Sequence, residues 1–285
     1  MSIAKLRQEY HRHICEEIIK LNKDGETSYP NFADKGSRAS RAIAWSIVKR
    51  INCPSNGERI SGQSTGRLFE AITKDFLEKS FKLLHHLRPG KWHYSTQTSI
   101  SGFDQYEHLA ELEEIIEQNY ELASALRADY IIKPDIVISR YPVSDKEVNA
   151  EGTVVKPGNS VATLTPFRSA NLERPRPILH ASISCKWTLR SDRGQNARTE
   201  ALNLIRNRKG HLPHIVAVTA EPLPTHISSL AVGTGDLDCV YHFALPEMQQ
   251  ATAEIENEDQ MNELMMLIQG RRLRDISDLP FDLAT

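Results

Sequence analysis

Cysteine is scarce in this 285-residue chain: Cys15, Cys53, Cys185 and Cys239 are its four, widely scattered. None forms a C-x-x-C pair, which speaks against a zinc site and against a small disulfide-built scaffold. Long apolar runs are also missing. Nothing approaches the roughly 18 consecutive apolar residues of a membrane span. The first residues, MSIAKLRQEYHRH, are charged from the start and lack the apolar core of a secretory signal. A global excess of one charge is absent too, the net being −2. These absences lead to the expectation of a reduced, cytoplasmic protein with no membrane partner. There is no internal repeat, no low-complexity tract and no linker dividing two cores, so residues 1–285 read as a single domain.

What the chain does have is uneven charge. Residues 186–209 hold Lys186, Arg190, Arg193, Arg198, Arg206, Arg208 and Lys209 against Asp192 and Glu200 alone, whereas residues 104–122 hold seven carboxylates and no lysine or arginine. The basic cluster is able to meet phosphates, and a solvated helix face is the competing reading.

Hydrophobic spacing predicts helices over about 3–22, 38–51, 65–86, 105–128 and 257–268, and strands near 92–100, 130–138, 215–219 and 238–244. Residues 23–37 read as a loop. Residues 141–178 carry seven prolines or glycines with little periodicity, and connections of that length are usually functional or packed against something. A flexible insertion and an oligomerisation loop, the latter over 143–177, both fit them.

The most informative stretch runs from His180 to Arg208. It opens with the alternation of a half-buried strand (Ala181, Ile183 and Cys185 against Ser182, Ser184 and Lys186) and closes with the helical spacing of Ala197, Ala201, Leu204 and Ile205. Between them lies Arg190-Ser191-Asp192-Arg193. Arginine makes bidentate hydrogen bonds to guanine O6 and N7, and aspartate accepts from cytosine N4, so this turn is able to read adjacent G·C pairs. Asp192 as a plain helix cap is the alternative.

A second carboxylate, Asp135, follows Pro134 inside the β-branched run at 130–138. The proline argues for an edge or a bulge. A carboxylate among apolar residues needs a partner, for which Arg140 or a metal are candidates. Asp135, Lys186 and Glu200 together suit metal-assisted phosphodiester hydrolysis, because Mg²⁺ takes hard oxygen ligands and a lysine can stabilise developing negative charge. Glu70 sits near the first turn of the helix at 65–86, where a glutamate is also commonplace for its interaction with the helix dipole.

Pro134-Asp135, Ser184-Cys185-Lys186, Glu200 and the 190–193 turn, with the stretches 62–72, 178–198, 202–222 and 236–245, resemble the NgoMIV family of type II restriction endonucleases. These belong to the PD-(D/E)xK nuclease superfamily and cut at sites with a CCGG core. The resemblance spans nearly the whole chain. It implies an α/β, restriction-endonuclease-like fold, a central mixed β-sheet flanked by helices. It also implies Mg²⁺-dependent double-strand cleavage, with two ions per active site, in a bacterial cytoplasm. Ser184 departs from the usual acidic residue two before the lysine. In this subfamily a carboxylate from the following helix, the position of Glu200, takes that role.

By the same resemblance Asp135, the Cys185 main-chain carbonyl and Glu200 match metal ligands, and Glu70 a further acidic residue. Arg190, Asp192 and Arg193 match readers of the inner bases, and Gln63 and Ser37 minor-groove contacts. His226 stands where the family pattern has an arginine directed at the outer pair, so GCCGGC is the first reading and a relaxed or different outer pair the second. A homotetramer engaging two DNA sites is implied, as is a cognate methyltransferase. The alternative function is a nuclease-fold DNA-binding or repair protein that does not cut site-specifically.

Overall fold

A computed structural model describes the chain apart from residues 55–60, 131, 172, 190 and 234 and the side chains of 126–130 and 191–193. The first amphipathic stretch forms α1 (Ile3–His13), capped by Ser2 through Lys5 N, and ends in a π turn at Ile18. It stops short of residue 22 because the chain then turns into a hairpin, β1 (Leu21–Asp24) and β2 (Thr27–Pro30), where the sequence suggests a loop. Gly25 occupies the tight turn at a φ of 61°, which a side chain would disfavour. Next come α2 (Arg38–Arg50) and α3 (Gly62–Leu83), each begun by a serine, Ser37 and Ser61, whose hydroxyl accepts the N–H three residues on. After β3 (Trp92–Thr96), the acidic stretch forms α4 (Ala110–Gln118) and α5 (Tyr120–Tyr130) rather than one helix. The break falls at Asn119, whose side-chain oxygen caps α5 through Glu121 N and Leu122 N.

The sheet begins in earnest with β4 (Ile136–Arg140), and α6 (Asp145–Val148) lies in the excursion that follows. Then come β5 (Ile178–Lys186), α7 (Ser191–Asn207), β6 (His214–Thr219), α8 (Pro224–Ala231) and β7 (Cys239–His242). The chain ends with α9 (Leu245–Glu254), α10 (Glu258–Gln269), β8 (Leu273–Asp275) and α11 (Leu279–Asp282). β8 and helices α8 and α9 are too short for periodicity to signal; both helices start with a proline in their first two positions.

Six strands form one sheet in the order β3-β4-β5-β6-β7-β8. The β3/β4 and β4/β5 pairs are antiparallel and the rest parallel, so the sheet is mixed and flanked by helices, as the α/β expectation holds. β5 is central and buried on both faces, which corrects the half-buried reading: the serines that alternate along it are small enough to pack rather than face water. β4 is likewise interior, not an edge. Pro134 precedes the strand, so it removes no ladder hydrogen bond, and the irregularity falls instead at a register shift between Ile138 and Ser139.

The expectation of an all-thiol chain also needs correcting. The fold pairs Cys15 with Cys53 as a disulfide, with Cα atoms 5.2 Å apart, because the turn after α2 returns Cys53 to the π turn that carries Cys15. A separation of 38 residues gives no hint of that proximity. Cys185 and Cys239 are free and buried. Residues 143–177 are held by local contacts: Val143 bridges Arg168, and the Arg168 guanidinium meets both Asp145 carboxylate oxygens at 2.9 Å.

The terminal elements are clamped by one arginine. Arg7 of α1 donates to Glu247 of α9 and to Asp275 of β8, at 2.6–2.9 Å, with all three side chains largely buried. Removing it leaves two carboxylates facing each other out of water. Arg7→Ala is expected to cost about 3 kcal/mol, read as a lower denaturant midpoint with unchanged slope.

Candidate active site

The site is built where β4 and β5 meet. Their antiparallel register pairs Ile136 with Ile183, so the residue before β4, Asp135, lies beside the last residues of β5. One Asp135 oxygen accepts the Cys185 N–H at 2.7 Å and the Lys186 ammonium at 3.0 Å. Lys186 is thus the partner the sequence left open. Arg140 points elsewhere, stacking over Trp92 and donating to the Pro89 carbonyl. Burial alone would lower the Lys186 pKa, but the adjacent Asp135 carboxylate outweighs it and the net shift is upward, so the side chain stays an ammonium.

Two more carboxylates reach the same cleft from helices. Glu70 follows Phe69, which packs edge-on against Trp187 at 5.2 Å, and Trp187 in turn packs against Phe32 and Phe243. That aromatic cluster fixes α3 against the end of β5 and so sets where Glu70 stands. Glu200 comes from α7, the helix immediately after β5. The Glu70 pKa is raised by burial and then by Asp135. The Glu200 pKa is raised by burial, with Lys186 pulling it down and Asp135 pushing it up. The cleft they line measures about 780 Å³ and includes Gln63, Arg67 and Asn196.

Gln97 went unnoticed in the sequence. Its amide donates to Glu70 at 3.3 Å and to Asp135 at 3.4 Å, bridging the two carboxylates. Its φ of 52° puts a non-glycine residue in the left-handed region, a strained conformation of the kind that clusters at functional sites. Its position after β3 gives no sequence signal. Ser184, where an acidic residue is usual, has a buried hydroxyl with no hydrogen-bond partner among the described residues.

A second cleft of about 920 Å³ adjoins the first, since Asn31 and Thr188 line both. Its walls include Leu189, Gly194, Arg198, Glu221 and His226. Arg190 lies outside the described residues, as do the side chains of Asp192 and Arg193, but the residues that bracket them, Leu189 and Gly194, face this cleft. His226 of α8 holds its Nδ1 3.1 Å from Glu221, and that contact raises its pKa against the opposing effect of burial. Ser37 lines neither cleft; its hydroxyl caps α2.

Asp135, Glu70 and Glu200 offer hard oxygens around a single ammonium, a donor set that fits a divalent cation such as Mg²⁺ and suits softer metals poorly. Among the described residues no three acidic, histidine or cysteine side chains are drawn tightly enough to hold an ion by themselves. Main-chain oxygens, water and substrate phosphate would complete the shell, the usual condition for Mg²⁺. No described helix is long and apolar enough to cross a membrane.

The family model described as NgoMIV restriction enzyme matches residues 10–285. The chain is 45% identical over 284 residues to the type II restriction enzyme NgoMIV of Neisseria gonorrhoeae, covering 98% of this chain and 97% of that protein. Among solved structures it is similar to a complex of restriction endonuclease PspGI with substrate DNA, at 13% identity and a TM-score of 0.36, covering 99% of this chain and 92% of that one. It is also similar to the type IIF restriction endonuclease Bse634I with cognate DNA, at 13% identity and a TM-score of 0.33, covering 94% and 97%.

Proposed function

The chain belongs to the NgoMIV restriction enzyme family and is a type II site-specific deoxyribonuclease, and from that premise we propose that it cleaves both DNA strands, with Mg²⁺, at a palindrome with a CCGG core. GCCGGC is the proposed site. The observation that carries this reading is the Asp135–Lys186 pair on the mouth of β5, with Glu70 and Glu200 converging on it. Family membership sets aside the alternative of a binder that does not cut.

Asp135, Glu200 and the main-chain carbonyl of Cys185 would hold the metal, two ions per site, with Glu70 beside them. The ions would offset the charge gathering on the phosphoryl oxygens and ease deprotonation of the attacking water. Lys186, kept charged by Asp135, stands ready to stabilise the same phosphate or to orient that water. The water oxygen bonds to phosphorus, the phosphorus–ester oxygen bond breaks, and the leaving oxygen takes a proton from solvent. In the adjoining cleft Arg190, Asp192 and Arg193 would read the inner bases, while Gln63 touches the minor groove. Ser37, occupied as a helix cap, is the weakest of these assignments. Plasmid DNA incubated with protein and Mg²⁺ should be cut at one recurrent sequence, found by sequencing the ends, and excess chelator should stop it. Absence of site-specific ends would overturn the reading.

A homotetramer holding two sites, and a methyltransferase protecting the host genome, are proposed with it. Residues 143–177 are the candidate interface, because Val154, Val161 and Leu164 expose their apolar side chains on an excursion braced by the Arg168–Asp145 pair. Replacing 143–177 with a short linker is expected to lower the mass seen by light scattering by half. An unchanged mass would remove the segment from the interface.

A further inference from the structure

Glu221 is a buried carboxylate, 3% exposed, outside the catalytic cleft. It lies just after β6, accepts two main-chain N–H groups and faces a histidine ring nitrogen. One oxygen takes the Leu189 main-chain N–H at 2.9 Å, and the other takes Leu223 N–H at 3.2 Å and faces His226 Nδ1 at 3.1 Å. Leu189 is the last residue before the 190–193 segment, which runs into the first turn of α7. A single side chain therefore ties the backbone entering that turn to the histidine on α8. The main chain approaches it from both directions, and both ends of the connection line one cleft.

We propose that Glu221 is a positioning residue for base readout, registering the 190–193 turn against His226 and fixing which hydrogen-bonding atom His226 presents to DNA. The proposal rests on the reading of this cleft as the base-recognition surface. An ionised carboxylate accepts and cannot donate. The ring nitrogen facing it must therefore carry its proton on Nδ1, which leaves Nε2 as the atom available to a base edge. When the ring is charged, Nε2–H donates, matching guanine O6 or N7. When the ring is neutral, Nε2 is an acceptor, matching the amino group of adenine or cytosine. An arginine at this position would donate at every pH; a histidine on a carboxylate changes sign.

The charged groups that bear on the ring are Glu221 and, from the segment between β2 and α2, Asp34. Arg198 and Asp236 line the same cleft. Glu221 raises the pKa of His226, so the donor form persists to higher pH than for a free histidine. Preference for an outer guanine should fall as pH rises through that point.

The test is cleavage of a panel of duplexes that differ only in the outer base pair, in the full protein, across pH 6 to 8.5. In wild type the kcat/KM ratio of the guanine-outer site to its variants should drop with pH. Glu221→Gln carries only one acceptor oxygen, and its amide N–H must confront either Leu189 N–H or the Leu223–His226 side. It should lower that ratio by about tenfold at low pH, the order expected for losing one oriented hydrogen bond in each half-site, and flatten its pH dependence. In a His226→Ala background the same change should no longer affect the outer pair. If Glu221→Gln does not fold, the tautomer is read directly from the His226 ring nitrogens by NMR in wild type, where Nδ1–H is expected. A neutral Nε2–H ring, or an outer-pair ratio indifferent to both pH and Glu221→Gln in a protein that still cuts site-specifically, would overturn the proposal. No site-specific cutting by wild type would instead sink the functional reading beneath it.

Discussion

Lys186→Ala is expected to slow plasmid cleavage by on the order of 10²–10⁴-fold and to leave Ca²⁺-supported DNA binding intact. The ammonium is 3.0 Å from Asp135, and both side chains are mostly buried. The Asp135 carboxylate shifts its pKa upward against the effect of burial, which favours the charged form. Its proposed contribution is a positive charge offered to the scissile phosphate, in a cleft where a charge counts for more than it does in water. Truncation takes that charge away but spares the Cys185 N–H that also orients Asp135, so the carboxylate keeps one of its anchors. The residues proposed to read the bases are bracketed by Leu189 and Gly194, which line the adjoining cleft rather than this one, and on that reading binding should survive. Gel-shift affinity in Ca²⁺ and single-turnover cleavage in Mg²⁺ separate the two effects. Cleavage within threefold of wild type would remove Lys186 from the chemistry, and loss of binding in parallel would mark it as a structural support.

The strand–turn–helix around β5 was readable in the sequence because Ala181 to Cys185 and Ala197 to Ile205 repeat at the two characteristic periods, and the α/β class came with the family resemblance. Depth was not. β5 is interior to the sheet because β4 and β6 flank it, and its faces are buried because elements from elsewhere in the chain, α3 among them, pack on them; a strand's own residues state neither. The same limit applies to the site. Asp135, Lys186 and Glu200 carry recognisable chemistry, and the sheet register does bring the first two into contact. Gln97 and Glu221 are invisible in one dimension: the first matters through a left-handed backbone angle and the second through two main-chain N–H groups and a histidine ring nitrogen gathered from both sides of it. Asp135 also shows how a partner can be misjudged. Arg140 is five residues away in sequence, but along a strand that carries it to the far end, whereas Lys186 is 51 residues away and adjacent in space.

Arg190→Ala and Arg193→Ala are expected to produce the largest change in what is cut rather than in how fast. A bidentate arginine–guanine pair is worth about 1–3 kcal/mol of discrimination. A palindrome read by two symmetry-related subunits presents each arginine twice, so each single substitution should cost roughly 2–6 kcal/mol in the preference for CCGG over a site altered at the matching pair. The location supports base readout over simple charge attraction. The residues on either side of the turn, Leu189 and Gly194, line the cleft next to the catalytic one, and Leu189 is anchored by a buried carboxylate. Surface lysines and arginines that only meet phosphate need no such anchoring. The two roles leave different signatures. A base reader loses discrimination at one position and keeps its salt dependence, whereas a phosphate contact weakens every sequence alike and reduces the salt slope by about one counterion. Measuring Ca²⁺-supported affinity for the four inner-pair variants at two salt concentrations decides between them. Uniform weakening with a shallower salt slope would assign these arginines to the backbone and leave the inner bases without a reader on this turn.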